Sequence, residues 1–172
     1  MSGDTFIRPD FSDKATGYKQ LAVQLSALLT DEPNLIAKTA NTAALLFNSL
    51  PDINWAGFYL WGPAKGPDPA DGELVLGPFQ GKPACVRIAL GRGVCGTAAE
   101  RRETVVVPDV HAFPGHIACD AASRSEIVVP LVKDGQLLGV LDIDSPRPGR
   151  FDDIDRRGLE RLVGVLLLQP WP

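Results

Sequence analysis

Residues 127–145, IVVPLVKDGQLLGVLDIDS, constrain the fold more than any other stretch. Two runs that read as strands, 127–132 and 136–145, flank Lys133-Asp134-Gly135, which has the composition of a hairpin turn. Along LGVLDIDS, Val140, Asp142 and Asp144 share one face, and Leu141 and Ile143 share the other. Turn length then sets the cross-strand partners. A two-residue Asp134-Gly135 turn sets Ile127 opposite Asp142. A three-residue Lys133-Asp134-Gly135 loop, with Gly135 left-handed, sets Glu126 opposite Asp142. The three-residue loop is preferred. It collects Ile127, Val129, Leu131, Leu137, Leu141 and Ile143 on one apolar face that helices can cover. The other face then carries Glu126, Asp142 and Asp144 together. Like charges opposed across a sheet are destabilising, so such a patch either faces solvent or holds a cation.

Around this hairpin the chain reads as two helices, three strands, a helix, a strand and a loop, and ends in a helix. Residues 1–17 read as a flexible arm broken by Pro9 and Gly17. Residues 18–30 carry Leu21, Leu25, Leu28 and Leu29 at helical spacing. Asp31-Glu32-Pro33 stops that helix. Pro33 suits the first turn of a second one, running to about Leu50 with Ile36, Leu45, Leu46 and Leu50 as its buried stripe. The aromatic run 53–61 reads as a strand, and 62–72, rich in Pro and Gly, as an exposed connection. Residues 73–76, 84–90 and 104–107 read as strands, and 94–102 as a short helix. Residues 151–168 read as an amphipathic helix capped by Asp152, Asp153 or Asp155. Hairpins dominate over βαβ crossovers. The class is therefore α+β: a central antiparallel sheet of about six strands, with the N- and C-terminal helices packed on one face.

A chain of 172 residues buries one full core. Its net charge of -4, with no basic run interleaved with aromatics, argues against a nucleic-acid surface. The longest apolar run, 162–168, is too short to span a bilayer, and residues 1–18 hold no signal-peptide core. The expected compartment is the cytosol. There, three cysteines read as packing, metal ligands or redox chemistry, and not as a disulfide framework.

The loop 114–126, PGHIACDAASRSE, holds Cys119, His116 and Glu126 between two strands. A single cysteine is most often inert packing. Cys119 differs in having small, polar neighbours, and the backbone N–H groups of Ile117, Ala118 and Cys119 form an anion nest if a helical turn starts there. The same positive end lowers a thiol pKa. Cys95, in the first turn of helix 94–102, is open to the same effect. The spacing C-x9-C-x23-C of Cys85, Cys95 and Cys119 contains no C-x-x-C pair, so zinc-ribbon and thioredoxin-like patterns are absent. His111, His116 and Cys119 make a compact but non-standard metal set. His116 and Cys119 also make a base and nucleophile for a hydrolase, with no third member evident.

The runs NWAGFYL at 54–60, LGPFQGKPACVRIALGRGVCGTA at 76–98, DVHAFPGHIACDAASRSEIVVPL at 109–131 and GVLDIDS at 139–145 together resemble the free methionine-(R)-sulfoxide reductases. These form a catalytic branch of the GAF-domain fold. The resemblance covers about residues 35–162 and implies a single GAF domain over 18–172. It implies that Cys119 attacks the sulfoxide sulfur and becomes a sulfenic acid, that Cys85 is the principal resolving thiol, and that Cys95 is a second resolving or relay thiol. It further implies that Glu126, Asp142 and Asp144 hold the substrate ammonium and that the amides near Ile117, Ala118 and Cys119 take its carboxylate. Trp55 then walls the methyl-sulfoxide end, with Tyr59 in the same substrate-binding set. Thioredoxin is the implied reductant and a homodimer the implied assembly, with no metal and no cofactor. The competing readings are a non-catalytic GAF module that senses a small ligand, and a metal-binding protein.

Overall fold

Polar caps and apolar stripes divide the described residues into four α-helices and six strands. The structure, a computed structural model, describes residues 6–66, 72–116 and 120–171. Asp13 accepts a hydrogen bond from the Thr16 N–H and starts α1 (Lys14–Leu28). The flexible-arm reading of residues 1–17 is therefore corrected at its end, because a cap that the leucine spacing did not register adds a turn. Asn34 caps α2 (Leu35–Ser49), so Pro33 precedes the cap and does not enter the first turn. Ile36 is exposed, and the packed stripe of α2 begins at Lys38 and Thr39.

The strands are β1 (Trp55–Pro63), β2 (Gly72–Gly81), β3 (Arg87–Ile88), β4 (Val105–Val107), β5 (Ser125–Lys133) and β6 (Gln136–Ser145). They form one antiparallel sheet in the order β3-β2-β1-β6-β5-β4. β2 runs on past Leu76 to Gly81, where Phe79 stacks on Trp55. The strand expected at 84–90 shrinks to two residues. Ahead of it the chain leaves the ladder, and the Cys85 carbonyl takes its hydrogen bond from the Tyr59 hydroxyl at 3.0 Å. Between β3 and β4 lies α3 (Gly93–Arg101), and α4 (Asp153–Leu168) closes the fold. Asp152 is its cap, completed by the Asp155 side chain accepting from the Asp152 N–H.

The β5–β6 hairpin differs from both register readings. Asp134 and Gly135, each with positive φ (51° and 76°), make a two-residue turn closed by Lys133 and Gln136. An extra residue then enters β6: Val132 faces Leu137, but Leu131 faces Gly139. This bulge restores the parity that the tight turn would have lost. Glu126 lies opposite Asp144, Ile127 opposite Ile143 and Val128 opposite Asp142, so the expected Glu126–Asp142 pairing is off by one rung pair. The faces nevertheless come out as expected beyond the bulge. Leu137 is the exception: it packs on the site side of the sheet, and Leu138 takes the helix side.

Two apolar cores result. Ala56, Phe58, Ile127, Val129, Leu131, Leu141 and Ile143 pack against α1, α2 and α4. On the other face Trp55, Tyr59, Val128 and Val140 pack beneath α3, with Val94, Cys95, Ala98 and Ala99 pointing in. The first face is sealed by helices. The second is covered by one short helix and by loops, which leaves room for a cleft. Among the described residues no helix is long and apolar enough to cross a membrane.

Candidate active site

β1, β6 and β5 lie side by side, and their register sets a row of side chains across the site face: Trp55 opposite Asp144, and Asp144 opposite Glu126. One rung along, Asp142 lies between Gly57 and Val128. α3 roofs this row and drives Cys95 down onto it, with Sγ 4.0 Å from Glu126 Oε1. The Cys95 sulfur and a carboxylate oxygen from each of Glu126 and Asp142 lie within 4.8 Å of one another. The cleft around them is walled by Trp55, Tyr59, Ala84, His116, Asp120 and Ser123.

Glu126 and Asp142 are each only 6% exposed. Burial pushes the carboxyls of Glu126, Asp142 and Asp144 well above their ordinary range, and their mutual repulsion adds to the shift. The basic side chain in ion-pair range of this trio among the described residues is His116, with Nε2 3.6 Å from Glu126 Oε2. Burial lowers the pKa of His116 below 6.5, so at neutral pH it offers a neutral imidazole. Asp142 Oδ1 is buried and has no hydrogen-bond partner among the described residues. Buried polar atoms are rarely left so. Three carboxyls and one unsatisfied oxygen around a cleft are the arrangement that a bound cation completes.

Cys95 departs from expectation. Position in a first helical turn should favour its thiolate, but burial and then the charges of Asp142 and Glu126 push its thiol well upward. Burial leads, because taking a thiolate out of water costs more than the modest stabilisation a helix end returns. Cys95 is thus a protonated thiol at rest.

The GAF domain family matches residues 25–166. The chain is 55% identical over 154 residues to the free methionine-R-sulfoxide reductase of Escherichia coli, spanning 90% of this chain and 88% of that one. It is 43% identical over 153 residues to the Saccharomyces cerevisiae protein of the same name, spanning 86% and 82%. The X-ray structure of free methionine-R-sulfoxide reductase from Neisseria meningitidis, in complex with its substrate, superposes with a TM-score of 0.85 at 46% identity, over 94% of this chain and 92% of that one. The chain belongs to the free methionine-R-sulfoxide reductase family of GAF domains.

For a member of this family, the structure gathers Trp55, Tyr59, Cys95, Glu126, Asp142 and Asp144 around one cleft. Ala84 lines the cleft, and the main chain of its neighbour Cys85 is tied to the Tyr59 hydroxyl. Ile117, Ala118 and Cys119 lie outside the described residues. Trp55 stacks on Phe79 (centroids 5.3 Å apart) and on Tyr59 (6.0 Å) and donates from Nε1 to the Lys82 carbonyl. It is therefore a fixed wall. His111 joins no donor cluster among the described residues; the cluster with metal-like spacing is Cys95, Glu126 and Asp142. The residue reading missed Asn54, Lys82, Asp120 and Ser123. Asn54 Nδ2 donates to Asp120 Oδ2 at 3.2 Å and to Ser123 Oγ at 3.1 Å, which anchors the loop to the start of β1. Their one sequence signal was position: Asn54 and Asp120 adjoin Trp55 and Cys119, and Lys82 and Ser123 lie three residues before Cys85 and Glu126.

Proposed function

We propose that this protein reduces free L-methionine (R)-sulfoxide to L-methionine, with Cys119 as the attacking thiol. The carrying observation is the trio of buried Glu126, buried Asp142 and half-buried Asp144, with Asp142 Oδ1 unsatisfied among the described residues. A free amino acid brings the ammonium that such a trio lacks. A methionine sulfoxide inside a peptide has no free ammonium, and burying the acids against it would leave them uncompensated. The substrate-bound structure of the Neisseria relative supports the same reading.

The reaction balances on thiols alone. The Cys119 sulfur takes the sulfoxide oxygen, methionine leaves as the thioether, and Cys119 becomes a sulfenic acid. The raised carboxyls are a local source of the proton needed as the sulfur–oxygen bond breaks. The thiol of Cys85 or Cys95 then displaces water from the sulfenic acid to form a disulfide. An external dithiol, for which thioredoxin is our assignment, reduces that disulfide and is itself oxidised. Of the two resolvers Cys85 is favoured, because the Cys95 thiol is held protonated beside the acids. A homodimer in the cytosol is the setting we assign.

The test is turnover with racemic free methionine sulfoxide and dithiothreitol. One epimer should disappear and the other persist; loss of neither, by a folded protein, overturns the reading. Cys119→Ser should abolish activity with either reductant. Cys85→Ser should mainly impair the thioredoxin-driven cycle, and equal losses in both assays for both variants would show the two roles misassigned.

A further inference from the structure

Disulfide closure has to bring together two segments distant in sequence, one carrying Cys85 and one carrying Cys119. Side chains with no part in the chemistry join them. Lys82, three residues before Cys85, reaches Asp120, the residue after Cys119, with Nζ 3.2 Å from Oδ1. Asp120 is itself fixed. Its Oδ1 accepts from the Ala122 N–H at 2.9 Å and its Oδ2 from Asn54 at 3.2 Å. The Ala122 N–H and then Lys82 hold its carboxyl below the usual range, so it is ionised. On the opposite side, the main chain of the Cys85 segment is pinned to β1 at both ends: Trp55 Nε1 donates to the Lys82 carbonyl and the Tyr59 hydroxyl to the Cys85 carbonyl, each at 3.0 Å. Asp120 directly follows Cys119 in the sequence, so its ion pair with Lys82 ties the Cys85 segment to the chain next to Cys119.

We propose that Lys82 and Asp120 form an electrostatic latch that positions the Cys85 segment against the Cys119 segment for disulfide closure. Lys82 is a positioning residue: it acts on the approach of the two sulfurs, not on the bonds that change. The proposal rests on the cysteine chemistry proposed above. In the step it serves, the Cys85 thiolate attacks the sulfenic sulfur of Cys119, the sulfur–sulfur bond forms, and the sulfur–oxygen bond breaks. The hydroxide takes up the thiol proton and leaves as water. The Lys82 side chain is 69% exposed, so the pair has the modest strength of a surface ion pair and weakens with salt. The effect is accordingly a rate of closure and not a fold.

The experiment is a single turnover. Reduced protein is mixed with one equivalent of free methionine (R)-sulfoxide and quenched over time. Released methionine, dimedone-trapped Cys119 sulfenic acid and intramolecular disulfide are each quantified. In Lys82→Met, methionine release should match the wild type, while the trapped sulfenic acid should persist about threefold longer, the effect of losing one exposed ion pair. Lys82→Arg should restore closure. Added salt should slow closure in the wild type and the Arg variant but leave Lys82→Met unaffected. Unchanged closure in Lys82→Met overturns the latch. So does slower methionine release, which would make Lys82 a substrate contact. Absence of any methionine or dimedone adduct in the wild type defeats the cysteine chemistry itself, and the latch falls with it, before any variant is compared.

Discussion

Glu126 answers two demands that oppose each other. As a side chain 6% exposed among two other acids it weakens the empty fold, and in the ammonium-binding role proposed above it would strengthen the occupied one. Glu126→Gln keeps the shape and removes the charge. It should raise KM for the free sulfoxide about tenfold, roughly 1.4 kcal/mol of lost attraction, and should also raise the melting temperature of the empty protein. Steady-state kinetics and thermal melts on the same preparation check both; an unchanged KM would take Glu126 out of the substrate site. The residue types here were legible in the sequence, because three acids on one face of a hairpin have few uses. The environment of Cys95 was not. A first-turn position says that a helix end is near, but only packing says that two carboxylates are nearer still.

Among elements, the hairpin carries the most information and gave the clearest miss. The sequence showed which residues share a face, since alternation survives most errors. It did not show the rung, because a bulge costs one residue and leaves no side-chain signature beyond a glycine. That glycine is Gly139, at φ 149°, where an added Cβ would meet the Tyr59 carbonyl oxygen at 2.3 Å. Gly139→Ala should therefore destabilise the fold by about 2 kcal/mol or more, from backbone strain plus the clash. The check is the urea midpoint, together with loss of substrate binding as Asp142 and Asp144 shift relative to Glu126. A second prediction concerns α1 and α4. Tyr18 donates to the buried Asp155 Oδ1 at 2.9 Å, beside Arg150 and Lys14. Tyr18→Phe removes one donor from a buried carboxylate and should cost about 1–2 kcal/mol by denaturant melt, with turnover per folded molecule unchanged.

At the scale of the whole molecule, stability and occupancy are linked through protons. Glu126, Asp142 and Asp144 have folded values raised above the ordinary 4.5 and 3.8. Their contribution to stability is therefore complete below that range and is lost as pH rises through the raised values. Asp152 works the other way. Partial burial opposes its ionisation, but the Lys14 ammonium and the Asp155 N–H hold it at about 2, so its contribution is lost as pH falls through that value. The empty protein should thus be most stable in mild acid, and its melting temperature should decline toward neutral pH. Bound ammonium returns the acids toward their ordinary values, so binding should release protons. Calorimetry in buffers of differing ionisation enthalpy measures that number, and a value of zero or below would contradict the charge assignment.

The acidic row across β5 and β6 also says something about the end of the catalytic cycle. Methionine leaves with the same ammonium it arrived with, and one lost oxygen atom does nothing to loosen that end. On the proposed assignment the acids hold product as well as they hold substrate, and preference for the sulfoxide comes from the far end, the role proposed for Trp55, which stacks on Phe79 and Tyr59. A protein built this way should be throttled by free methionine as a competitive inhibitor and should slow as its product accumulates.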